Sequence, residues 1–270
     1  MKITISDQPK FDNVISRYIN FDDYQYKFFQ DFIENVVPKN YTVYSTSFLF
    51  YQEDSWIVII HSDALYIYGN NWTEELLREF SENIDLMEFT DCALVGTSKL
   101  IFRLLIFFNI QNYKIIRERL FYESTFLLES ALTEFVTIRN GSIDEIDELA
   151  VMLQNYYEEE YGGEKNKDIA EMHMRIRSLI NNGNIFVLCT ENTIASFCTI
   201  INPDIGILFT KKEMRLRGFG KHLLLDCSRT LVEKNGIVYL MTDKNSEASN
   251  VTVSSLGYNI MYEYSHVVIN

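Results

Sequence analysis

FTKKEMRLRGFGKHLLLDC, residues 209–227, holds the question on which the fold turns. The apolar run IGILFT (205–210) reads as a strand and KHLLLDCSRTLVEK (221–234) as a helix, with RLRGFG (215–220) between them. Two glycines among basic residues either cradle a phosphate or form a charged turn. A P-loop needs a glycine five residues ahead of its Gly-Lys pair and a Ser or Thr after it; Arg215 and His222 stand there instead. A dinucleotide fingerprint needs a third glycine where Leu223 stands. What remains is a strand, a basic loop and a helix N-terminus. The first turn of a helix leaves its N–H groups unpaired and partly positive. Glycine lets a pyrophosphate approach them with no Cβ in the way. Lys211, Lys212, Arg215, Arg217 and Lys221 set five cations against one anion, Glu213.

That basic loop belongs to an acidic chain. The 270 residues carry a formal net charge of −14, which argues against nucleic-acid binding, since that requires basic surface. With 47% hydrophobic residues, the chain has enough apolar material to build substantial cores. Cys92, Cys189, Cys198 and Cys227 are widely spaced with no CxxC pair, so neither a zinc site nor a disulfide framework is expected. MKITISDQPKFDN lacks the apolar core of a signal peptide, and LIFRLLIFFNI from Leu100 is too short to span a bilayer and contains Arg103. A cytoplasmic protein with no membrane partner is the expectation.

Elements follow from hydrophobic period and turn residues. FDDYQYKFFQDFIENVV predicts an amphipathic helix, and YTVYSTSFLFY, SWIVIIH and ALYIYG predict strands. NNWTEELLREFSENI predicts a helix capped by Asn71 or Thr73, CALVG a strand, Lys99 to Phe108 an apolar helix, and RERLFYESTFLL a strand. A second unit opens near Glu134. FVTIR reads as a strand, and Ser142 with Glu145 three residues later forms a capping box. Ile146, Leu149 and Leu153 continue at helical spacing, and AEMHMRIRSLI predicts a further helix. IFVLC and IASFCTI form a hairpin around Glu191 and Asn192. GIVYLMT is a buried strand, SEASNVTVSSL a short helix, and GYNIMYEYSHVVI two closing strands. The fold class is α/β (α+β), a mixed and mostly antiparallel sheet flanked by helices. Residues 1–133 and 134–270 form its two domains.

Arg215-x-x-Gly218-x-Gly220, placed between strand and helix, resembles the acetyl-CoA pyrophosphate loop of the GCN5-related N-acetyltransferases. SEASNVTVSSLGY (246–258) resembles that family's segment ending in Leu-Gly-aromatic, at the right spacing downstream. FTKKEMRLRGFGK is similar to a subgroup with an additional N-terminal domain, which carries Ser-Asn and Gly-Tyr where Ser249-Asn250 and Gly257-Tyr258 stand here. The resemblance covers roughly residues 134 to 270. It implies that acetyl-CoA is held by the loop residues Arg215, Leu216, Arg217, Gly218, Phe219, Gly220 and Lys221, and by Ser246 and Asn250. Backbone N–H groups of Leu208, Phe209 and Thr210 lie near the thioester carbonyl on the same reading. Leu216 replaces a usual glycine, Lys211 and Lys212 replace prolines, and Val253 replaces the tyrosine that commonly protonates the departing thiolate.

The implied reaction is direct attack of an amine on the thioester, with a general base to free the amine lone pair. Ten acidic residues and two lysines lie between Ser142 and Glu171, which favours a small cationic acceptor. Glu160 matches a glutamate often found in the subgroup's first helix and is the candidate base. Tyr258, Tyr262 and Tyr264 are alternative proton donors that alternate as packing residues do. His61, His173 and His266 lack metal-ligand partners at useful spacing, so no metal is expected. Cys227 shares a helix face with Leu224 and Leu231 and reads as core. Asp243 and Asn245 follow a buried strand and read as loop polarity or as contacts to cofactor or acceptor. A non-catalytic acyl-CoA sensor and a ligand-free interaction protein are the other readings. The N-terminal half has three roles open to it: shaping the acceptor pocket, forming a homodimer interface, or being a degenerate copy of the same fold.

Overall fold

The structure, a computed structural model, describes residues 2–5, 41–45, 55–61, 64–82, 84–90, 92–129, 135–162 and 168–270. The helix expected over FDDYQYKFFQDFIENVV lies outside them, as does most of YTVYSTSFLFY beyond its first five residues. The chain forms two compact units. One comprises Met1–Leu120, Asp243–Asn245 and Met261–Asn270; the other comprises Phe121–Thr242 and Ser246–Ile260. Both are mixed α/β and mostly antiparallel.

In the first unit, β1 (Lys2–Ile5), β2 (Tyr41–Ser45), β3 (Trp56–His61) and β4 (Leu65–Asn70) form an antiparallel run. Helix α1 (Glu74–Ser81) then crosses over to β5 (Ala93–Thr97), which pairs parallel with β4 from Leu65↔Leu94 to Ile67↔Gly96. Helix α2 (Ser98–Phe107) leads to β6 (Tyr113–Ser124), and β12 (Asn259–Ile269) pairs antiparallel with β5. Thr73, one of the two expected caps, closes α1: its hydroxyl accepts from the Leu76 N–H at 3.4 Å. Leu77, Phe80, Leu100, Ile101 and Leu104 of the two helices pack with Ile57, Ile59, Leu65 and Ile67 into one core. GYNIMYEYSHVVI closes the chain as one strand, β12, and not as the two expected. No Gly, Pro or Asn interrupts residues 260–269, so nothing turns the chain. Ser265 is buried there and is anchored to the Ser98 hydroxyl at 2.6 Å.

In the second unit, antiparallel strands are again followed by a helical crossover to a parallel strand and then a further helix. β7 (Thr137–Asn140), β8 (Ile185–Thr190), β9 (Thr193–Ile201) and β10 (Asp204–Thr210) are antiparallel neighbours. The β8–β9 turn sits on Glu191 and Asn192 with φ of 48° and 64°, the pair of positive angles that a two-residue hairpin requires. Helix α5 (Phe219–Asn235) crosses to β11 (Val238–Asp243), which is parallel to β10, and α6 (Glu247–Ser254) follows. Between β7 and β8, α3 (Ile146–Tyr161) and α4 (Ile169–Asn181) pack on each other. Leu149, Leu153, Met172 and Ile176 meet Phe197 and Phe209 of the sheet in a second core. Leu223, Leu224, Cys227 and Leu231 make the buried stripe of α5, which packs on β9 and β10.

The capping box read from Ser142 and Glu145 is present: the Ser142 N–H donates to Glu145 Oε2 at 2.8 Å. Arg139 on β7 donates to both carboxylate oxygens of Glu145, at 2.9 and 2.5 Å. These contacts, the Arg139 bond foremost, hold the Glu145 carboxyl below its ordinary value of 4.5. A carboxyl depressed by folding stabilises above its unfolded value and loses that stabilisation as pH falls through its folded one. Urea midpoints should therefore fall as the pH is taken below about 4.5. Glu145→Gln should destabilise by about 1 kcal/mol at neutral pH and flatten that acid limb. An unchanged acid limb in the variant would refute this account.

Candidate functional site

β10 and β11 share register at one position, Asp204↔Tyr239, and Tyr239 N–H donates to Pro203 O at 3.3 Å. Beyond it no further pair joins the two parallel strands among the described residues. On its other side, β10 keeps its ladder with β9 but slips register between Ile205 and Leu208. Thr199 stabilises that bulge, its hydroxyl accepting from Ile207 N–H at 2.7 Å. Gly206 is required at the same place, because a Cβ there would stand 2.5 Å from Thr199 Oγ1.

The bulge fixes which groups of β10 face away from β9. Lys211 N–H donates to Ala195 O at 3.0 Å, so the ladder's alternation turns Phe209 N–H toward β9 and those of Leu208 and Thr210 toward the opposite edge. Arg215 confirms the direction, since its Nε donates to Thr210 O at 3.0 Å from that edge. Of the three residues expected to offer N–H groups to a thioester, two therefore point away from β9, where β11 diverges.

After Thr210 a 3₁₀ turn (Lys212–Met214) leads into the glycine loop. Leu216 is fully exposed with φ of 63°, and Gly218 follows at 84°. A left-handed backbone costs a non-glycine residue about 1 kcal/mol, and Leu216 bears that cost where the resembling family has glycine. Gly218 caps α5, whose first turn carries no acidic residue. Gly220 lies against the end of β10: a Cβ there would come within 2.7 Å of Thr210 Oγ1, which is bonded to the Ser196 hydroxyl at 2.8 Å. Bare helix N–H groups, absent Cβ atoms and nearby cations fit the pyrophosphate of a CoA-type molecule.

The cations of this loop are not all turned outward. Arg215 Nη2 donates to both oxygens of Glu159 on α3, at 3.1 and 2.8 Å, and its guanidinium lies 5.4 Å above the Phe209 ring. Lys212 Nζ is 3.5 Å from the same carboxylate, and Lys211 donates to Glu148 at 2.5 Å. Arg217 stacks over Phe219 at 4.6 Å. Lys221 follows in the first turn of α5, partly exposed.

Between α3 and the end of β10 lies a cleft of about 570 Å³. Asp147, Glu148, Glu159 and Glu213 contribute its carboxylates, Lys211 and Lys212 its ammonium groups, and Val151, Met152 and Phe209 its apolar wall. Glu160, the candidate base, is half-buried on α3 one residue beyond Glu159, about 100° around the helix, and is not among the lining residues. The sequence places Glu159 in an acidic run with Glu158 and Glu160, but its pairing with Arg215 escapes a local reading because the two lie 56 residues apart. A helical face of Glu148, Met152, Asn155 and Glu159 is the only local hint of it.

At the other expected positions, Asn250 Oδ1 accepts from the Thr242 hydroxyl at 2.5 Å and from Tyr122 at 3.2 Å. Ser246 donates to Ser249 at 2.8 Å. Val253 is buried at 4% exposure. Tyr258 is buried and its hydroxyl bonds Ser228 Oγ at 2.6 Å; Ser228 in turn donates to Leu224 O. Burial pushes the Tyr258 phenol well above its usual range, and burial does the same to Tyr264. Cys227 is core beside Cys198, whose thiol a hydrogen bond with Cys227 and burial hold protonated. His173 lies 3.3 Å from Asp147, and His61 stacks edge-on against Phe89. Asp243 sits 3.8 Å from Arg119 and accepts from Asn245 N–H, so both read as loop structure. No group of three metal-ligating side chains occurs among the described residues. No helix described is long and apolar enough to cross a membrane.

This fold is similar to that of GCN5-related N-acetyltransferases of known structure. The chain is similar to an acetyltransferase of that family from Colwellia psychrerythraea, at 12% identity and a TM-score of 0.61 over all of both chains. It is similar also to a GCN5-related N-acetyltransferase from Sphaerobacter thermophilus, at 14% identity and a TM-score of 0.61 over 98% of this chain and 95% of that one. No protein-family model and no curated protein matches the chain. At these identities the likeness is one of fold.

Two substitutions test the loop. Gly220→Ala should lower stability by about 1–3 kcal/mol in urea by forcing α5 off Thr210, and an unchanged midpoint would refute the close approach. Leu216→Gly should raise stability by about 0.5–1 kcal/mol, because relief of the left-handed backbone outweighs the added chain entropy. A lower midpoint for Leu216→Gly would show that the leucine side chain holds the loop.

Proposed function

We propose that the protein is an acetyl-CoA-dependent N-acetyltransferase acting on a small cationic amine. The observation that carries this is the opening between β10 and β11, which turns the Leu208 and Thr210 N–H groups to an unpaired edge beside a glycine-capped helix. On this reading Arg215, Leu216, Arg217, Gly218, Phe219, Gly220 and Lys221 hold the pyrophosphate, with Ser246 and Asn250 on the far side. Acetyl-CoA supplies the activated acyl group. The strand N–H groups stabilise charge on its carbonyl oxygen, each lowering the barrier by ~2.7–4 kcal/mol. The acceptor enters from the cleft, whose four carboxylates outnumber its two lysines and favour an ammonium group. Carboxylates of α3 take the ammonium proton directly or through water; Glu160 is the candidate from the resemblance, and Glu159 lines the cleft. Such a base contributes ~100-fold or more.

Residues 1–133 complete the reading as a second α/β domain, a degenerate half of the same topology, with 134–270 as the cofactor-binding half. In the first unit the helix that follows the parallel strand starts with Thr73 bonded to Leu76 N–H and with Glu74 and Glu75 in its first turn. A side-chain cap and two carboxylates disfavour an anion there.

A specific observation favours a second reading, an acyl-CoA sensor without catalysis. Val253 is packed in the core where the family's proton donor stands. Calorimetry with CoA and a thiol-release assay over a panel of small amines separate the two. Saturable CoA binding with amine-dependent thiol release is the expected result. Arg215→Gln should weaken CoA binding about tenfold. Binding without thiol release from any amine would leave the sensor, and no CoA binding would overturn both.

A further inference from the structure

The geometry points to Glu159 as a resident anion of the cofactor loop, occupying Arg215 until a pyrophosphate takes its place. This rests on the cofactor reading above. Three of the five loop cations are neutralised by two carboxylates of α3: Lys211 by Glu148, and Lys212 and Arg215 by Glu159. The Glu159–Arg215 pair is the most specific of these. Both carboxylate oxygens are engaged, and the guanidinium is fixed at its other edge by Thr210 O and on its face by Phe209. A planar guanidinium presents the same fork to a carboxylate and to a phosphate. The ligand therefore finds Arg215 aligned but taken. Binding exchanges one anion for another and does not simply add a contact.

Glu159 also lines the cleft between α3 and β10. When Arg215 turns to the pyrophosphate, Glu159 is left on the cleft wall with Lys212 as its one remaining cation among these pairs. Filling the loop thus raises the negative charge that an ammonium acceptor meets, and linkage makes the effect mutual: a cation in the cleft draws Glu159 away from Arg215 and favours the pyrophosphate. Glu159 is here a positioning residue that couples the two halves of the site, each ligand favouring the other.

Because Arg215 and Glu159 are each about a third exposed, with side-chain accessibilities of 39% and 33%, the competition is screened by solvent and modest in size. Titration calorimetry of free CoA into the full chain, wild type against Glu159→Gln, reads it directly. Removing the resident anion should tighten CoA binding by about two- to fivefold at low salt. That gain should vanish at 0.5 M salt, roughly, where screening removes the pair from both states. A purely structural role for Glu159 would give the opposite sign, since loss of a scaffold weakens binding at every salt concentration. Unchanged or weaker binding by the variant overturns the inference. Wild-type protein that fails to bind CoA overturns the cofactor reading itself, so the two failures are told apart by which protein binds.

Discussion

Asp204 and Tyr239 form the last rung shared by two strands that run in the same direction, and the second unit is organised by what happens beyond it. A parallel pair normally continues for the length of the shorter strand, as every backbone group needs a partner. Here β10 slips its register against β9, which Thr199 and Gly206 enforce. The strand then runs on paired to β9 along one edge, with no further pair to β11 along the other among the described residues. That second edge, the glycine-capped start of α5 and the cleft under α3 all meet within Leu208–Thr210 and the few residues after. A single residue of slip thus converts ordinary sheet into a place where a ligand can complete the hydrogen bonding.

Electrostatics around the loop follow from the same crowding. In a chain of net charge −14, five cations in eleven residues would repel one another and draw in any anion nearby. α3 answers with carboxylates one above another on a single face, Glu148 and Glu159, so the loop is held in shape before anything binds. The cleft inherits the remainder: acids that are half-spent on lysine and arginine, and an apolar wall from Val151, Met152 and Phe209.

What could be read in the sequence was local. The Ser142/Glu145 box, the Glu191–Asn192 turn and the strand–loop–helix around Gly218 and Gly220 each depend on residues a few positions apart, and each is found in the structure. Thr73 was one of two expected caps, and geometry selected it over Asn71 because its hydroxyl reaches Leu76 N–H. Long-range facts were invisible. The bulge needs Thr199 from the neighbouring strand, and the loop's partners come from a helix some sixty residues earlier. The expected division of GYNIMYEYSHVVI into two strands fails because no Gly, Pro or Asn stands among 260–269 to turn the chain. The polarity belongs instead to a strand that is part exposed and part buried along its length.

The first unit carries the same order of hairpin, parallel crossover and following helix, with one end closed. Its crossover helix caps the Leu76 N–H with Thr73 and carries two glutamates in its first turn, whereas α5 starts from a glycine with none. The two crossover helices thus differ in the charge they tolerate at their first turns. On the proposed reading the consequence is one of stoichiometry: of the two crossover helices only α5 begins in a way that suits a pyrophosphate, so one such group per chain is expected.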